Sequence, residues 1–163
     1  MRKYLIIFLS FFLVSISNAA DTGSQAEAFT RSFYDWYLQK GKDRTMESVL
    51  LDKKAVLSPT LYKMLNEDRE AQAKSPGEIV GLDFDPFLNA QDVAQKYEVG
   101  KAVLKDKNYW VDLHGLWNGK KGREPDLQAE VECSASCVFV NFHYGRDRNL
   151  ISVLKALKKD RKS

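Results

Sequence analysis

The spacing of apolar residues changes once along the chain, close to Gly81. Before this residue they recur at steps of three and four, the period of an amphipathic helix. After it they alternate at every second position, the period of a strand. This change predicts an α+β fold, in which N-terminal helices pack on a curved four-stranded antiparallel sheet and one further helix follows at the C-terminus.

The first predicted helix carries an unusually aromatic stripe between Phe29 and Tyr37. Ser24 and Glu27 have the spacing of a capping box and predict the start of this helix, while Gly41 predicts its end. The stripe has two interpretations. It packs in the core, which is the usual role of such residues, or it forms the lid of an aromatic-lined cavity.

Two more helices are predicted before the period changes. One covers residues 45–51. The other starts at Ser58, a favourable N-cap residue, with Pro59 in the first helical position. Its continuation over residues 66–74 is almost entirely polar, so we expect this end of the helix to project into solvent.

Period-two alternation predicts four strands that pair in sequence as an antiparallel meander. They cover residues 97–104, 109–114, 127–133 and 137–144, with a bulge expected at Gly100. Residues 119–126 contain glycines, a proline and charged residues, which predicts a long exposed loop. The last helix is expected to open at Asp147 or Asn149.

The last two predicted strands differ in polarity. The earlier one alternates, whereas the later one is apolar on both faces. We therefore predict that the last strand lies centrally in the sheet and that the preceding strand lies nearer an edge. If Cys133 faces Cys137, alternation places Asn141 and His143 on the same buried face as Val131, where both would need polar partners.

The first residues have the pattern of an export signal. Arg2 and Lys3 precede an apolar stretch over residues 5–16, and small residues follow up to Ala19. Cleavage is predicted after Ala19, with Ala20 as the alternative, leaving a single domain over residues 20–163 in a bacterial periplasm. No transmembrane segment is predicted in this mature chain, because no other stretch is long and apolar enough.

The two cysteines, Cys133 and Cys137, predict a disulfide, because exported proteins with an even number of cysteines usually pair them. Free thiols and a metal site are the alternatives. The only histidines, His114 and His143, do not complete a zinc-binding pattern with these cysteines. The bond would close a hairpin and fix its register.

The net charge of +3 does not indicate a nucleic-acid partner, since basic residues are spread along the chain. Only residues 155–162 form a basic cluster. This cluster is a solvated helix end, or it contacts an anionic lipid or an acidic partner. No cofactor is predicted, because no phosphate-binding loop is present.

Three features of the chain belong together: the aromatic first helix, the Ser58-Pro59 start of the third helix, and the run Leu82-Asp83-Phe84-Asp85-Pro86 that continues to Gln91-Asp92. In this combination the chain resembles a group of small exported bacterial proteins called domain of unknown function 3828, of the NTF2-like (cystatin-like) superfamily. Residues 138–142 depart from the pattern, because the tryptophan and paired acidic residues common there are absent. The family has no assigned reaction, so the resemblance implies a fold and export but no mechanism.

The same run supplies the candidate site through its carboxylate and amide oxygens, which belong to Asp83, Asp85, Asn89, Gln91 and Asp92. A calcium-binding loop of the EF-hand type would require Gly and Glu where this chain has Leu88 and Ala94, so that match fails. Two interpretations remain. The side chains bind backbone amides around a turn, or they form the rim of a ligand or partner site.

Three residues from elsewhere complete the predicted rim: Tyr34, Asn141 and His143. No nucleophile, histidine and acid occur in a recognisable catalytic order, so no catalytic residue is predicted. We favour a non-catalytic module that binds an unknown small molecule or exported protein. One alternative is an inhibitor or immunity-type protein that docks on an exported enzyme through residues 119–126 and residues 81–92. The other is a small acid–base enzyme that uses Asp85 or His143 in a cone-shaped cavity.

Overall fold

The computed structural model describes residues 19–90, 93–94 and 96–161. This part of the chain forms an α+β protein with four α-helices and a five-stranded antiparallel sheet, which confirms the predicted fold class. The helices are α1 (Ala19–Gln39), α2 (Met46–Asp52), α3 (Pro59–Ala73) and α4 (Leu150–Asp160). The strands are β1 (Lys96–Lys105), β2 (Asn108–Trp117), β3 (Lys120–Lys121), β4 (Leu127–Cys133) and β5 (Cys137–His143).

The export signal predicted over residues 1–19 lies almost wholly outside the described residues and stays a prediction. α1 begins at Ala19, so Ser24 lies inside the helix and the capping box predicted there is wrong. Glu27 instead accepts a hydrogen bond from the backbone N–H of Ala102 at 3.0 Å, which ties α1 to β1. Within the described residues, no helix is long and apolar enough to cross a membrane.

The predicted start of α3 at Ser58 is confirmed, and the second predicted helix begins in the same way after Thr45. The side chains of Thr45 and Ser58 accept hydrogen bonds from the backbone N–H groups of Ser48 and Leu61, at 3.1 and 3.2 Å. Asn149 caps α4 in the same way, which selects it over Asp147 as the opening residue.

The strands pair in the order β1-β2-β4-β5, with the short β3 beside β2. A bulge lies between Val99 and Ala102, as Gly100 predicted. β3 is an addition to the predicted four strands. Asn118 and Gly119 both have positive φ, and they turn the chain back so that β3 pairs with the end of β2.

The predicted central position of the last strand is wrong, because β5 lies at the end of the strand order and β4 lies between β2 and β5. The free edge of β5 is covered by the segment before α3. Leu57 forms an isolated parallel bridge with Phe139, and the N–H of Ser58 donates to the carbonyl of Phe139 at 2.9 Å. This coverage explains why an edge strand is so apolar.

A bulge also changes the faces of β5. Glu130 pairs with Asn141 and Val131 pairs with Phe139, so Val140 is the extra residue. After Val140, each side chain of β5 therefore points to the opposite face of the sheet from the one that it would have in a regular hairpin. Phe142 is fully buried in the core, and the prediction that Asn141 and His143 share the face of Val131 is wrong, since Asn141 pairs with Glu130 and His143 pairs with Gln128.

The aromatic stripe of α1 packs in the core, which is the first of its two predicted interpretations. Phe33, Tyr34 and Tyr37 are all buried. The ring centroid of Phe33 lies 4.9 Å from that of Phe139 on β5 and 5.6 Å from that of Phe87 in the loop before β1. Edge-to-face ring pairs of this kind stabilise the fold beyond the area they bury.

The predicted disulfide joins Cys133 to Cys137, whose Cα atoms are 4.1 Å apart. It closes the turn between β4 and β5, where the two cysteines are paired in register. A disulfide is compatible with an oxidising compartment outside the cytoplasm.

Candidate functional site

Three tyrosine hydroxyl groups hold the segment of residues 81–90, here called the central segment. Tyr34 donates to the carbonyl of Phe87 at 2.8 Å, and Tyr144 donates to the carbonyl of Pro86 at 2.7 Å. Tyr37 donates to Oδ2 of Asp85 at 3.0 Å. Because buried carbonyl and carboxylate oxygens need donors, these three bonds fix the position of the segment against α1 and the end of β5.

The central segment contains its own turn. The N–H of Asp85 donates to the carbonyl of Ala90 at 3.1 Å, and Asn89 has a φ of +52°. Oδ1 of Asp85 accepts from the N–H of Phe87 at 2.9 Å. The carboxylate of Asp85 therefore performs the turn-stabilising role that the sequence left as one of two interpretations.

Burial raises the pKa of Asp85 above the ordinary range of an aspartate. The hydrogen bonds from Phe87 and Tyr37 and the nearby charge of Arg44 act in the opposite direction. Burial also raises the pKa of Tyr37, so this hydroxyl stays protonated and remains a donor. Tyr37 therefore acts as the hydrogen-bond donor to Asp85, and the carboxyl group of Asp85 lies in a poorly solvated position.

The first residues of the central segment are tied to α3 and α4. Asp68 is only 1% exposed, and its Oδ2 accepts from the N–H of Leu82 at 3.0 Å. Its Oδ1 accepts from Nη1 of Arg161 at 2.6 Å. A Cβ at Gly81 would lie 2.9 Å from Oδ2 of Asp68, so any other residue there would displace this carboxylate from its hydrogen bonds. The expected projection of the polar end of α3 into solvent is therefore wrong at Asp68.

An open cleft of about 520 Å³ lies beside the central segment. Its lining residues are Arg44, Thr45, Met46, Leu82, Asp83, Phe84, Asp85, Pro86, Ala90 and Val93. Nε of Arg44 lies 3.8 Å from Oδ2 of Asp85, too far for a hydrogen bond. This Nε is buried and has no hydrogen-bond partner among the described residues. The cleft therefore combines apolar walls with a guanidinium group that is ion-paired with Asp85 and whose Nε makes no hydrogen bond in the described chain.

The structure brings two of the predicted rim residues into this cleft, Asp83 and Asp85. Asn89 points elsewhere, since its Nδ2 donates to the backbone carbonyl of Asp126 at 3.1 Å. Gln91 and Asp92 lie outside the described residues, and nothing is concluded about their side chains.

The three predicted rim residues from other elements do not join the cleft lining. Tyr34 is buried and bonded to Phe87. Oδ1 of Asn141 accepts from the N–H of Ile151 at 3.2 Å, at the start of α4. His143 stacks on the ring of Trp110, with centroids 3.8 Å apart, and its Nε2 lies 2.9 Å from Oε2 of Glu130.

Sequence reasoning missed Arg44 and Met46, which contribute to the cleft from the connection into α2 and from its first turn. No motif marks either residue. The only signal is their place after Gly41, whose positive φ turns the chain at the end of α1. A short connection between helices is a common location for binding residues, but it does not specify which side chain faces a cleft.

No group of three or more His, Cys, Asp or Glu side chains is arranged for a metal ion within residues 19–90, 93–94 and 96–161. The chain matches no family model, no curated protein and no solved structure. The fold and cleft together define an α+β protein with a surface site between its helices and the loop that leads into the sheet. The resemblance to an NTF2-like family remains a prediction.

Proposed function

We propose that this protein is an exported, non-catalytic binding module whose ligand occupies the cleft beside the central segment. The observation that carries the proposal is Arg44, a largely buried guanidinium group at a cleft and without an acceptor for its Nε in the described chain. The NTF2-like family assignment and the periplasmic location belong to the same proposal. They are supported by the sequence run around Asp83 and Asp85, by the predicted export signal and by the disulfide.

The cleft favours a small ligand with an anionic or acceptor group. A guanidinium group forms strong, directional hydrogen bonds with carboxylate and phosphate oxygens. Leu82, Phe84 and Pro86 offer apolar contact beside it. A volume of about 520 Å³ lies in the range of small-molecule sites, about 300–1,000 Å³.

Binding is favoured over catalysis by the positions of the titratable groups. Both carboxylate oxygens of Asp85 accept hydrogen bonds from this chain, one from Tyr37 and one from Phe87. His143 is paired with Glu130 and lies against Trp110 on β2. The residues considered for acid–base chemistry are therefore dispersed and individually satisfied, which does not support the enzyme alternative.

The test is a thermal-shift screen against small carboxylates, phosphate esters and sulfonates. At least one compound is expected to raise the melting temperature of the wild-type protein. Arg44→Gln should abolish that shift, while Arg123→Gln, which removes the same charge from an exposed loop, should retain it. A shift that survives in Arg44→Gln would overturn the proposal, provided that circular dichroism shows both variants folded.

A second candidate function is docking on an exported enzyme. It is favoured by the bond from Asn89 to Asp126, which places the loop of residues 119–126 against the central segment. Trp117, at the base of this loop, is 49% exposed, and tryptophan is enriched in binding hot spots. Trp117→Ala should abolish inhibition of a candidate exported hydrolase, whereas Leu51→Ala, a change at another exposed apolar residue, should not.

A further inference from the structure

We propose that the groove between α3 and α4 binds a single-chain anionic amphiphile, a carboxylate that carries a medium-length acyl chain. This site is separate from the cleft described above, and the two share no lining residue. The proposal therefore does not depend on the function assigned to that cleft.

The shape of the groove suits an acyl chain. Its volume is about 400 Å³, within the range of small-molecule sites. The apolar surface comes from Met64 on α3 and Leu154 on α4. Leu154 is almost fully buried, whereas Met64 is partly accessible. Methionine is flexible and adapts to ligands of irregular shape, so Met64, together with the aliphatic stems of the lining lysines, offers the accessible apolar surface above the buried Leu154.

The charge of the groove suits an anionic headgroup. Four of the eight lining residues are cationic and one is a carboxylate, Glu67. Two of the cations already have partners. Lys158 is paired with Glu67 and Arg161 with Asp68, each at 2.6 Å. The ammonium groups of the other two, Lys63 and Lys155, have no hydrogen bond or ion pair within the described chain.

The two unpaired lysines favour one occupant over others. Lys63 comes from α3 and Lys155 from α4, the two helices that form the groove, so an anion that reaches both would gain two charge-assisted bonds without breaking an existing ion pair. An inorganic anion would leave the apolar surface unused. A neutral alcohol would leave the lysines unpaired. An amphiphile with a carboxylate matches both features of the groove.

The test is isothermal titration of the full exported chain with sodium decanoate below its micelle-forming concentration. The wild type is expected to bind with a defined stoichiometry of one. The double variant Lys63→Gln/Lys155→Gln should bind at least about tenfold more weakly, since both charge-assisted contacts are lost. The matched control Lys54→Gln/Lys107→Gln removes two exposed lysines elsewhere and should bind like the wild type.

Two further measurements distinguish binding in the groove from nonspecific adhesion of the amphiphile to the protein. Thr60→Trp, at an exposed position of the groove, keeps every charge and should block binding by filling the space. Decyltrimethylammonium, with the same chain length and opposite charge, should not bind. Equal binding of either amphiphile, unchanged binding in the Lys63/Lys155 variant, or binding only to phosphatidylglycerol vesicles would each overturn the proposal.

Discussion

At the residue scale, Tyr34, Tyr37 and Tyr144 direct their hydroxyl groups to one short stretch, residues 85–87. Tyr34 comes from the buried face of α1, and Tyr144 comes from the position after β5. Burial raises the pKa of both of these tyrosines, so they remain protonated donors. The central segment is therefore positioned by buried polar bonds as well as by the apolar anchors Phe87 and Leu88.

Removing one of these hydroxyl groups should be costly. Tyr34→Phe leaves the buried carbonyl of Phe87 without its donor, so we expect a loss of about 1–3 kcal/mol in the free energy of unfolding. Urea denaturation measures this loss. Tyr62→Phe on α3 is the matched control, because the hydroxyl group of Tyr62 has no hydrogen bond within the described residues, and it should change stability by less than about 0.5 kcal/mol. Equal stability of the two variants would contradict this account.

The raised pKa of Asp85 predicts a pH dependence of stability. The folded protein binds this proton at higher pH than the unfolded chain does, where the pKa is about 3.9. The contribution of this protonation to the free energy of unfolding is therefore fully present below the pKa of Asp85 in the unfolded chain. It is lost as the pH rises through the higher pKa that Asp85 has in the folded protein. In urea denaturation between pH 4 and pH 7, Asp85→Asn should lack this component, so wild type gains stability relative to the variant as the pH falls.

The control for this profile is Asp147→Asn, which makes the same charge change in an exposed loop. Its pH profile should run parallel to that of the wild type. Parallel profiles for the wild type and Asp85→Asn would show that the carboxyl group of Asp85 does not have a raised pKa.

Some of the residues at the candidate site could be identified from the sequence, and others could not. Asp85 could be identified as a candidate residue, because a carboxylate between Phe84 and Pro86 usually stabilises a turn or belongs to a binding site. Arg44 could not, because its importance depends on a distance to Asp85 that no local pattern encodes. The placement of His143 failed for a similar reason, since a bulge at Val140 changes the exposed face without leaving a recognisable signal.

At the element scale, Asp68 connects three parts of the molecule. It binds Arg161 after α4 and Leu82 in the central segment, and it projects from α3. Asp68→Ala should lower the free energy of unfolding by about 3–5 kcal/mol, because it leaves the partly buried Arg161 without its counter-charge, bonded only to the carbonyl of Val80 within the described residues, and leaves the N–H of Leu82 without a partner. Glu70→Ala, an exposed change on the same helix, is the control and should have a small effect. Similar denaturation midpoints for both variants would contradict the assigned role of Asp68.

The disulfide stabilises the β4–β5 hairpin and is not expected to decide whether the protein folds. It closes a very short loop, so the chain-entropy model gives about 2 kcal/mol. Reduction should therefore lower the melting temperature by roughly 5–10 °C and leave the protein folded. Calorimetry with and without reductant, together with thiol counting on unreduced material, provides the measurement. Two free thiols in that material, or complete unfolding on mild reduction, would contradict the prediction.

The starts of α3 and α4 and the pairing of the four long strands in sequence were predictable, but the edge position of the last strand was not. Ser58 and Asn149 fix helix starts through local hydrogen bonds, which the sequence shows directly. The edge position of β5 was not readable, because the segment around Leu57 covers that edge from a distance in sequence. The short β3 could have been found, since Asn118-Gly119 is a strong hairpin signal.

At the scale of the whole molecule, the change of period near Gly81 was sufficient to predict helices followed by an antiparallel sheet. The cleft was less predictable. It forms where the connection into α2 meets the central segment, and these two parts are separated by all of α3 in sequence. Sequence patterns report local period and capping, whereas a cleft depends on how distant segments pack together.

Native mass spectrometry of the protein isolated from the cells that produce it tests most directly whether the cleft holds a ligand through Arg44. The account predicts a bound small molecule on the wild-type protein and on Arg123→Gln. The same adduct should persist on Lys63→Gln/Lys155→Gln and disappear from Arg44→Gln. An adduct that Arg44→Gln retains, or a wild-type mass equal to that of the bare chain, would contradict the account.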